Sequence, residues 1–464
     1  MAERLHFSGI GGTAMVAGAR IALEAGCEVR GSDGVLYPPA SHMVQALQIP
    51  VYSGYSADNL SWSPDTVIIG NALSRGNPEV EYVLSHRLTY TSLPEWLKRN
   101  VLHARHSIVI SGTHGKTTTT ALTAHVLKAH DPGTGYLIGG EALGFSHSSH
   151  LGKEGAPFVI EGDEYDTAFF DKRAKFLHYL PNTAVVTSLE FDHGDIYHDL
   201  GDIEIAFQRM FRQIPAEGLV LLCADNHALS LATHSFSCVE TYGFHENALW
   251  RGNYTAEASN CQEMQVFYKQ TLWGSVPLPL SGQHNHQNIL AAIAVAASLG
   301  MKQQDIAAAI ASFKGVRRRL ETFLESQGIL FVDDFAHHPT AIKGSIAAAK
   351  TKWPKRCLIA VVEPRSNTMV TNRFQDDLRD ALKEADVVFL GPIHRSSSLP
   401  ESDRLNREEI VQSLTAWGRD AVFFDEVPEL VHALHNTARQ NDVVLIMSNG
   451  AFGGIYTLLK EMYL

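Results

Sequence analysis

No stretch of this 464-residue chain is apolar for long enough to cross a bilayer, and none repeats or falls into low complexity. Neither a membrane-spanning helix nor a repeat array is expected. Cysteine is scarce: Cys27, Cys223, Cys238, Cys261 and Cys357 are scattered, odd in number and never spaced as CxxC. That pattern argues against a disulfide framework and a thiolate zinc site, and for a reducing cytoplasm. Basic charge is in deficit, with 38 Lys and Arg against 50 Asp and Glu and a net charge of −12. A general nucleic-acid surface is therefore not expected, and nothing suggests membrane contact. The first residues run directly into a folded motif, which leaves no room for a signal peptide. What is present, 45% hydrophobic and 19% charged residues, suits a globular chain large enough for two to four cores. If its ligands are anionic, cations must gather locally to meet them.

Lys116 is one such cation, and it sits in the most informative segment of the chain. The β-branched run Ile108 to Ile110 stops at Ser111, the turn Gly112-Thr113-His114-Gly115-Lys116-Thr117 follows, and helix-forming sequence begins at Thr118. Glycines let backbone N–H groups approach a phosphate, and a helix N-terminus adds partial positive charge. Lys116 can reach β- and γ-phosphates, and the Thr117 hydroxyl can face Mg²⁺. The spacing is shorter than G-x-x-x-x-G-K-[ST], which would need glycine at Ile110. A purely structural turn would account for Gly112 and Gly115, but not for Lys-Thr directly after them.

Three α/β blocks organise the rest. The first opens with a strand at Leu5 to Ser8, the turn Gly9-Ile-Gly11-Gly12-Thr13-Ala14-Met15 and a helix. The second carries the phosphate loop, strands at Phe158 to Ile160 and Thr183 to Leu189, and a small antiparallel sheet between Cys238 and Leu280. It closes with an alanine-rich helix over Asn288 to Leu299. In the third, five strands alternate with helical segments, as in a mostly parallel sheet covered on both faces. The expected domains are 1–105, 106–316 and 317–464.

Four further constellations carry chemistry. Gly9-x-Gly11-x-x-Ala14, with Asp33 19 residues beyond Ala14, fits a dinucleotide-type turn for either a nicotinamide cofactor or the diphosphate of a UDP-sugar. Glu161-Gly-Asp-Glu164 and Asp192-His193 end two strands where ligands gather in open α/β sheets, and Glu161 with Thr117 suits Mg²⁺, with His193 as a further ligand. Asn288 can read a base edge, or one of the asparagines around it can cap the helix. Arg317-Arg318-Arg319 is either a basic linker surface or a source of one guanidinium for the γ-phosphate. Asp333-Asp334 and His337-His338 lie between a strand and a helix, a ligand-facing position.

Together, GTHGKTT, FDHGDIY, GQHNHQNILAA, RRRLE and VDDFAHHP, in that order over nearly the whole chain, resemble the Mur ligase family of ATP-dependent enzymes. The resemblance implies three domains: an N-terminal Rossmann-like UDP-binding unit, a central P-loop ATPase-like unit and a C-terminal Rossmann-like, peptide-binding unit. It implies ATP as co-substrate on Gly112 to Thr118, Asn288, Arg319 and Asp334, with Mg²⁺ on Thr117, Glu161 and His193. Lys116, Glu161, His193 and Arg319 are the implied catalytic group. Gly11, Gly12, Thr13, Ala14, Met15, Asp33 and Asn71 would hold the UDP-sugar. His337, His338, Arg365, Ser366, Asn367 and Asn449 would face a peptide. The strings Val362 to Met369 and Met447 to Gly454 resemble the branch that joins UDP-MurNAc to the murein tripeptide L-Ala-γ-D-Glu-meso-diaminopimelate in wall recycling. The alternative is the branch that adds L-alanine. A monomer or weak dimer is expected. Two features depart from the family: Ala206 to Arg209 carries no lysine for modification, and the DNPR string is missing.

Overall fold

The computed structural model describes residues 2–37, 40–192, 194, 196–254, 263–394 and 399–464, without the side chain of Glu401. Three α/β sheets follow one another along the chain. The first is five-stranded and all parallel, with Arg4–Ser8 at its centre, flanked by Glu28–Asp33 and Thr66–Ile69. The second has ten strands. Its middle, Leu219–Cys223, Thr183–Val186, His106–Ser111 and Pro157–Gly162, is parallel and almost wholly buried. Those runs are β-branched and aliphatic on both faces, as a sheet covered by helices on each side requires.

The antiparallel strands expected between Cys238 and Leu280 are present and extend one edge of this central sheet. Cys238–Gly243 and Trp250–Asn253 continue it in parallel, and Glu263–Tyr268 and Thr271–Pro277 then pair antiparallel. The third sheet has six strands, five parallel and one, Glu321–Ser326, antiparallel at the edge.

Two local expectations are corrected. The strand expected to reach Leu189 stops at Val186, because Thr187 and Ser188 turn their hydroxyls onto the phosphate loop. The alanine-rich helix begins at Gln283, not at Asn288. Its N-cap is Gly282, at φ +97°, and no asparagine side chain caps it. The first core is continuous from the N-terminal sheet, through Leu93, Trp96 and Leu97, into Phe176 and Phe207 of the central unit. The C-terminal sheet has separate cores on its two faces. Among the described residues, no helix is long and apolar enough to cross a membrane.

Candidate active site

The strand His106–Ser111 delivers the chain into the loop, and the helix Lys116–His130 takes it away. Gly112 has φ +127° and Gly115 φ +82°, both in the left-handed region. A Cβ on Gly112 would stand 2.7 Å from the Ser188 carbonyl oxygen, and one on Gly115 2.7 Å from Asn288 Oδ1. The backbone therefore lies flush against its neighbours, and any side chain would push the loop outward. Ser188 Oγ accepts from the His114 N–H at 2.8 Å, fixing the turn from below.

Lys116 Nζ donates to both oxygens of Glu164, at 3.0 and 2.9 Å, and to the Gly112 carbonyl at 2.7 Å. Burial opposes the ammonium charge, but Glu164 and Asp163 beside it hold its pKa above the usual value. Next to it, Thr117 Oγ1 donates to Glu161 Oε1 at 3.0 Å, and the Gly139 N–H donates to Glu161 Oε2 at 2.9 Å. Burial pushes the Glu161 carboxyl above the ordinary carboxylate range, against the pull of Lys116. A buried carboxylate in that state is stabilised by a cation, and two hard oxygen donors 3.0 Å apart suit Mg²⁺. His193, the third expected metal ligand, lies outside the described residues.

Other expected residues find more local partners. Asn288 is buried beneath the loop, where its Oδ1 accepts from Thr119 Oγ1 at 3.0 Å and its Nδ2 donates to Asn285 Oδ1. The three arginines divide their work. Arg317 pairs with Glu141 and Glu321 at the surface. Arg318 donates to Asp333 and to the carbonyls of Ser448 and Gly450. Arg319 rests over the Phe335 ring, 5.3 Å from its centroid, with no hydrogen bond among the described residues. Asp334 is buried, and its carboxylate accepts from the Leu320 and Ala336 N–H groups and from Ser345 Oγ. That arrangement ties down the turn after its strand.

At the N-terminal turn, Asp33 folds back: Oδ2 accepts from the Gly11 N–H at 2.6 Å, and Oδ1 from Tyr55 Oη at 3.0 Å. Gly12 caps the helix Thr13–Glu24, with Gly12 and Ala14 exposed, Gly11 and Thr13 half-buried and Met15 buried. Asn71 crosses to the central unit, donating to Asp166 at 2.9 Å.

In the C-terminal unit Arg365 donates to Glu363 at 3.2 Å and packs on Gly450 so closely that a Cβ there would collide with its Nε. Ser366 Oγ accepts from the Met369 N–H, Asn367 is exposed, and Asn449 Oδ1 is buried with no partner among the described residues. The two neighbouring histidines differ. His337 faces the Phe335 carbonyl, whereas His338 is the N-cap of the helix Pro339–Lys352. Glu190, Thr340 and Thr368, not assigned roles from sequence, make further contacts beside these residues. Glu190 accepts from Thr340 Oγ1 at 2.7 Å, and Thr368 donates to Asp192 at 3.2 Å, joining the central and C-terminal units. A strand-end carboxylate three residues before His193 was the available signal for Glu190.

Comparison with known proteins decides the family. Three descriptions match in succession: Mur ligase family, catalytic domain over residues 4–105; Mur ligase middle domain over 110–296; and Mur ligase, glutamate ligase domain over 318–450. The chain belongs to the Mur ligase family. Among its relatives is the UDP-N-acetylmuramate–L-alanyl-γ-D-glutamyl-meso-2,6-diaminoheptandioate ligase of Escherichia coli, 41% identical over 99% of this chain and 98% of that one. A UDP-N-acetylmuramate–L-alanine ligase of Nitrosospira multiformis is 32% identical, over 99% of this chain and 94% of that one. The crystal structure of a murein peptide ligase from Psychrobacter arcticus superposes with a TM-score of 0.75 at 35% identity, covering 99% of this chain and 98% of the other. The three-sheet α/β architecture is thus that of a Mur ligase.

Proposed function

We propose that this ligase joins UDP-MurNAc to the murein tripeptide L-Ala-γ-D-Glu-meso-diaminopimelate, consuming ATP through an acyl phosphate and releasing ADP, in cytoplasmic peptidoglycan recycling. The observation that carries the reading is the pairing of Lys116 with Glu164 beside Thr117 and Glu161 at one helix N-terminus. It joins a cation for phosphate to an oxygen pair for a metal. The 41% identity to a tripeptide ligase, against 32% to an L-alanine ligase, favours the tripeptide.

In this reading the lactyl carboxylate of UDP-MurNAc attacks the γ-phosphate. Lys116 exchanges Glu164 for the phosphates, and Arg319 takes up charge as the phosphoryl group moves. Thr117, Glu161 and His193 would hold Mg²⁺, which would supply charge neutralisation between the two anions. The tripeptide amine then attacks the activated carbonyl and expels phosphate. Arg365, Ser366, Asn367, Asn449, His337 and His338 face the peptide, and Asn288 and Asp334 hold the adenosine side. The N-terminal unit, residues 1–105, holds the UDP-sugar through Gly11 to Met15, Asp33 and Asn71. The C-terminal unit, residues 317–464, closes over the central unit, residues 106–316, and keeps water from the acyl phosphate.

The test offers UDP-MurNAc, ATP and Mg²⁺ with either tripeptide or L-alanine, and follows ADP and product mass. Tripeptide should be ligated at a kcat/KM about 100-fold above that for L-alanine, a difference of about 2.7 kcal/mol in transition-state binding. A preference for L-alanine would overturn the assignment.

A further inference from the structure

One cluster at the junction of the central and C-terminal units joins a histidine of the ATP loop and one of the peptide-facing set to Glu190, a carboxylate to which that scheme gives no role. Glu190 Oε2 lies 3.4 Å from His114 Nε2 and 3.4 Å from His338 Nδ1. The donor atoms of all three residues lie within 4.8 Å of one another, and the two imidazole rings are 4.8 Å apart. His114 belongs to the phosphate loop, Glu190 to the segment that follows the strand Thr183–Val186, and His338 to the cap of a helix in the other unit.

The spacing has a chemical meaning. In a tetrahedral centre with bonds of about 2.0–2.1 Å, neighbouring donors stand about 3.4 Å apart. Two of the three separations already have that value. The carboxylate is also oriented for the task. Thr340 Oγ1 donates to it at 2.7 Å, and the Glu190 N–H donates to Thr113 Oγ1 at 2.9 Å, so the group is braced from both units. Such bracing of a ligating carboxylate is the usual outer shell of a metal site. The protonation states agree: burial drives His338 down to about 4, leaving a neutral imidazole at neutral pH. Despite burial, His114, Thr340 and His338 hold Glu190 at about 2, fully ionised. His338 Nδ1 accepts from the Thr340 N–H at 3.4 Å, a long capping bond that leaves the ring proton on Nε2, and a metal at Nδ1 would take the place of that bond.

We infer that His114, Glu190 and His338 form a binding site for a first-row transition metal of the Zn²⁺ class, which clamps the C-terminal unit onto the phosphate loop. Two imidazoles and one carboxylate select such an ion over Mg²⁺, whose ligands are oxygens. The fourth position is left for water. Binding stands independently of the ligase reading; only its consequence, slowed reopening and hence inhibited turnover, rests on that reading.

Co²⁺ titration of the full chain in saturating Mg²⁺ tests the site by visible absorption. Expected is one equivalent with the intense bands of a tetrahedral ion, displaced by Zn²⁺. Glu190→Gln and His338→Asn should abolish those bands, whereas His86→Ala, in the N-terminal unit, should keep them. Asparagine retains an N-cap acceptor, so loss in His338→Asn with an unchanged circular dichroism spectrum reports ligation and not unfolding. Only weak octahedral absorption in the wild type, or intense bands that survive both substitutions, would overturn the site. In the ligation assay, half-inhibition should need about tenfold more Zn²⁺ for His338→Asn than for wild type. Equal sensitivity there, with the bands intact in the wild type, would overturn the clamp alone.

Discussion

Two glycine turns in this chain look alike and are built for different work. Each leaves the C-terminal end of a parallel strand and opens a helix, and each has a glutamate close beneath it. Under the first turn, Glu79 is fully buried, accepts from Ser8, Ser32 and Asn59, and lies 3.5 Å from His6. Burial alone would raise its pKa, but those hydrogen bonds hold it below the ordinary value. Under the second, Glu161 has, among the described residues, only Thr117 and the Gly139 N–H as hydrogen-bond donors, and burial wins, raising it. A satisfied carboxylate is architecture; an undersupplied one is a place for a cation. The first turn also contains no cation of its own, whereas the second carries Lys116.

That contrast can be broken by experiment. Lys116→Ala should lower ATP-dependent ligation about 1000-fold, the scale of losing one charge-stabilising donor, while the circular dichroism spectrum is kept. Turnover within tenfold of wild type would dissociate the loop from phosphoryl transfer. Glu161→Gln should raise the Mg²⁺ needed for half-maximal rate about 30-fold or more, since even an outer partner of a metal ligand is worth about 10–100-fold, and should not lower the melting temperature of the free protein. A metal titration that overlays the wild type would sink the oxygen pair. At the other turn, Asp33→Ala should raise KM for UDP-MurNAc about tenfold, equivalent to roughly one charged hydrogen bond, with KM for ATP within twofold. An ATP-side defect instead would mean that the two turns are not separate sites.

The last effect concerns stability. Glu79→Gln should cost about 3 kcal/mol at pH 7, as for a buried pair broken on one side. The folded-state pKa of Glu79 is depressed, so its contribution is present above the unfolded carboxylate value and is lost as pH falls through the folded one. The gap in thermal stability between wild type and variant should therefore narrow as pH drops below about 4.3. A gap that is constant from pH 7 to pH 3 would show that the carboxylate charge plays no part.

Much of this was legible in the chain because its signals are local. Gly112, Gly115 and Lys116 announce the cradle within six residues, and the buried β-branched runs at Ile108 and Val185 mark central strands by composition alone. What escaped depends on residues far apart in sequence. Asn288 lies 169 positions from Thr119, and only folding puts its amide under Gly115. Glu190 and Thr340, 150 positions apart, meet across two units. The arginine run could not be apportioned by inspection either. Arg318 is drawn inward because strand ends at Asp333 and Ser448 present it with acceptors, and Arg319 is left near His284 and His337, where its charge disfavours their protonation. The start of the alanine-rich helix was missed for a similar reason. A glycine at φ +97° can begin a helix without any capping side chain.

The unbroken apolar packing between the N-terminal and central units has a thermodynamic corollary. Trp96 and Leu97 are shared with Phe176 and Phe207 in one cluster, whereas the last sheet has cores to itself. A calorimeter heating this protein should register two cooperative melting events and not three, with the first two units losing structure together and the C-terminal portion melting on its own schedule.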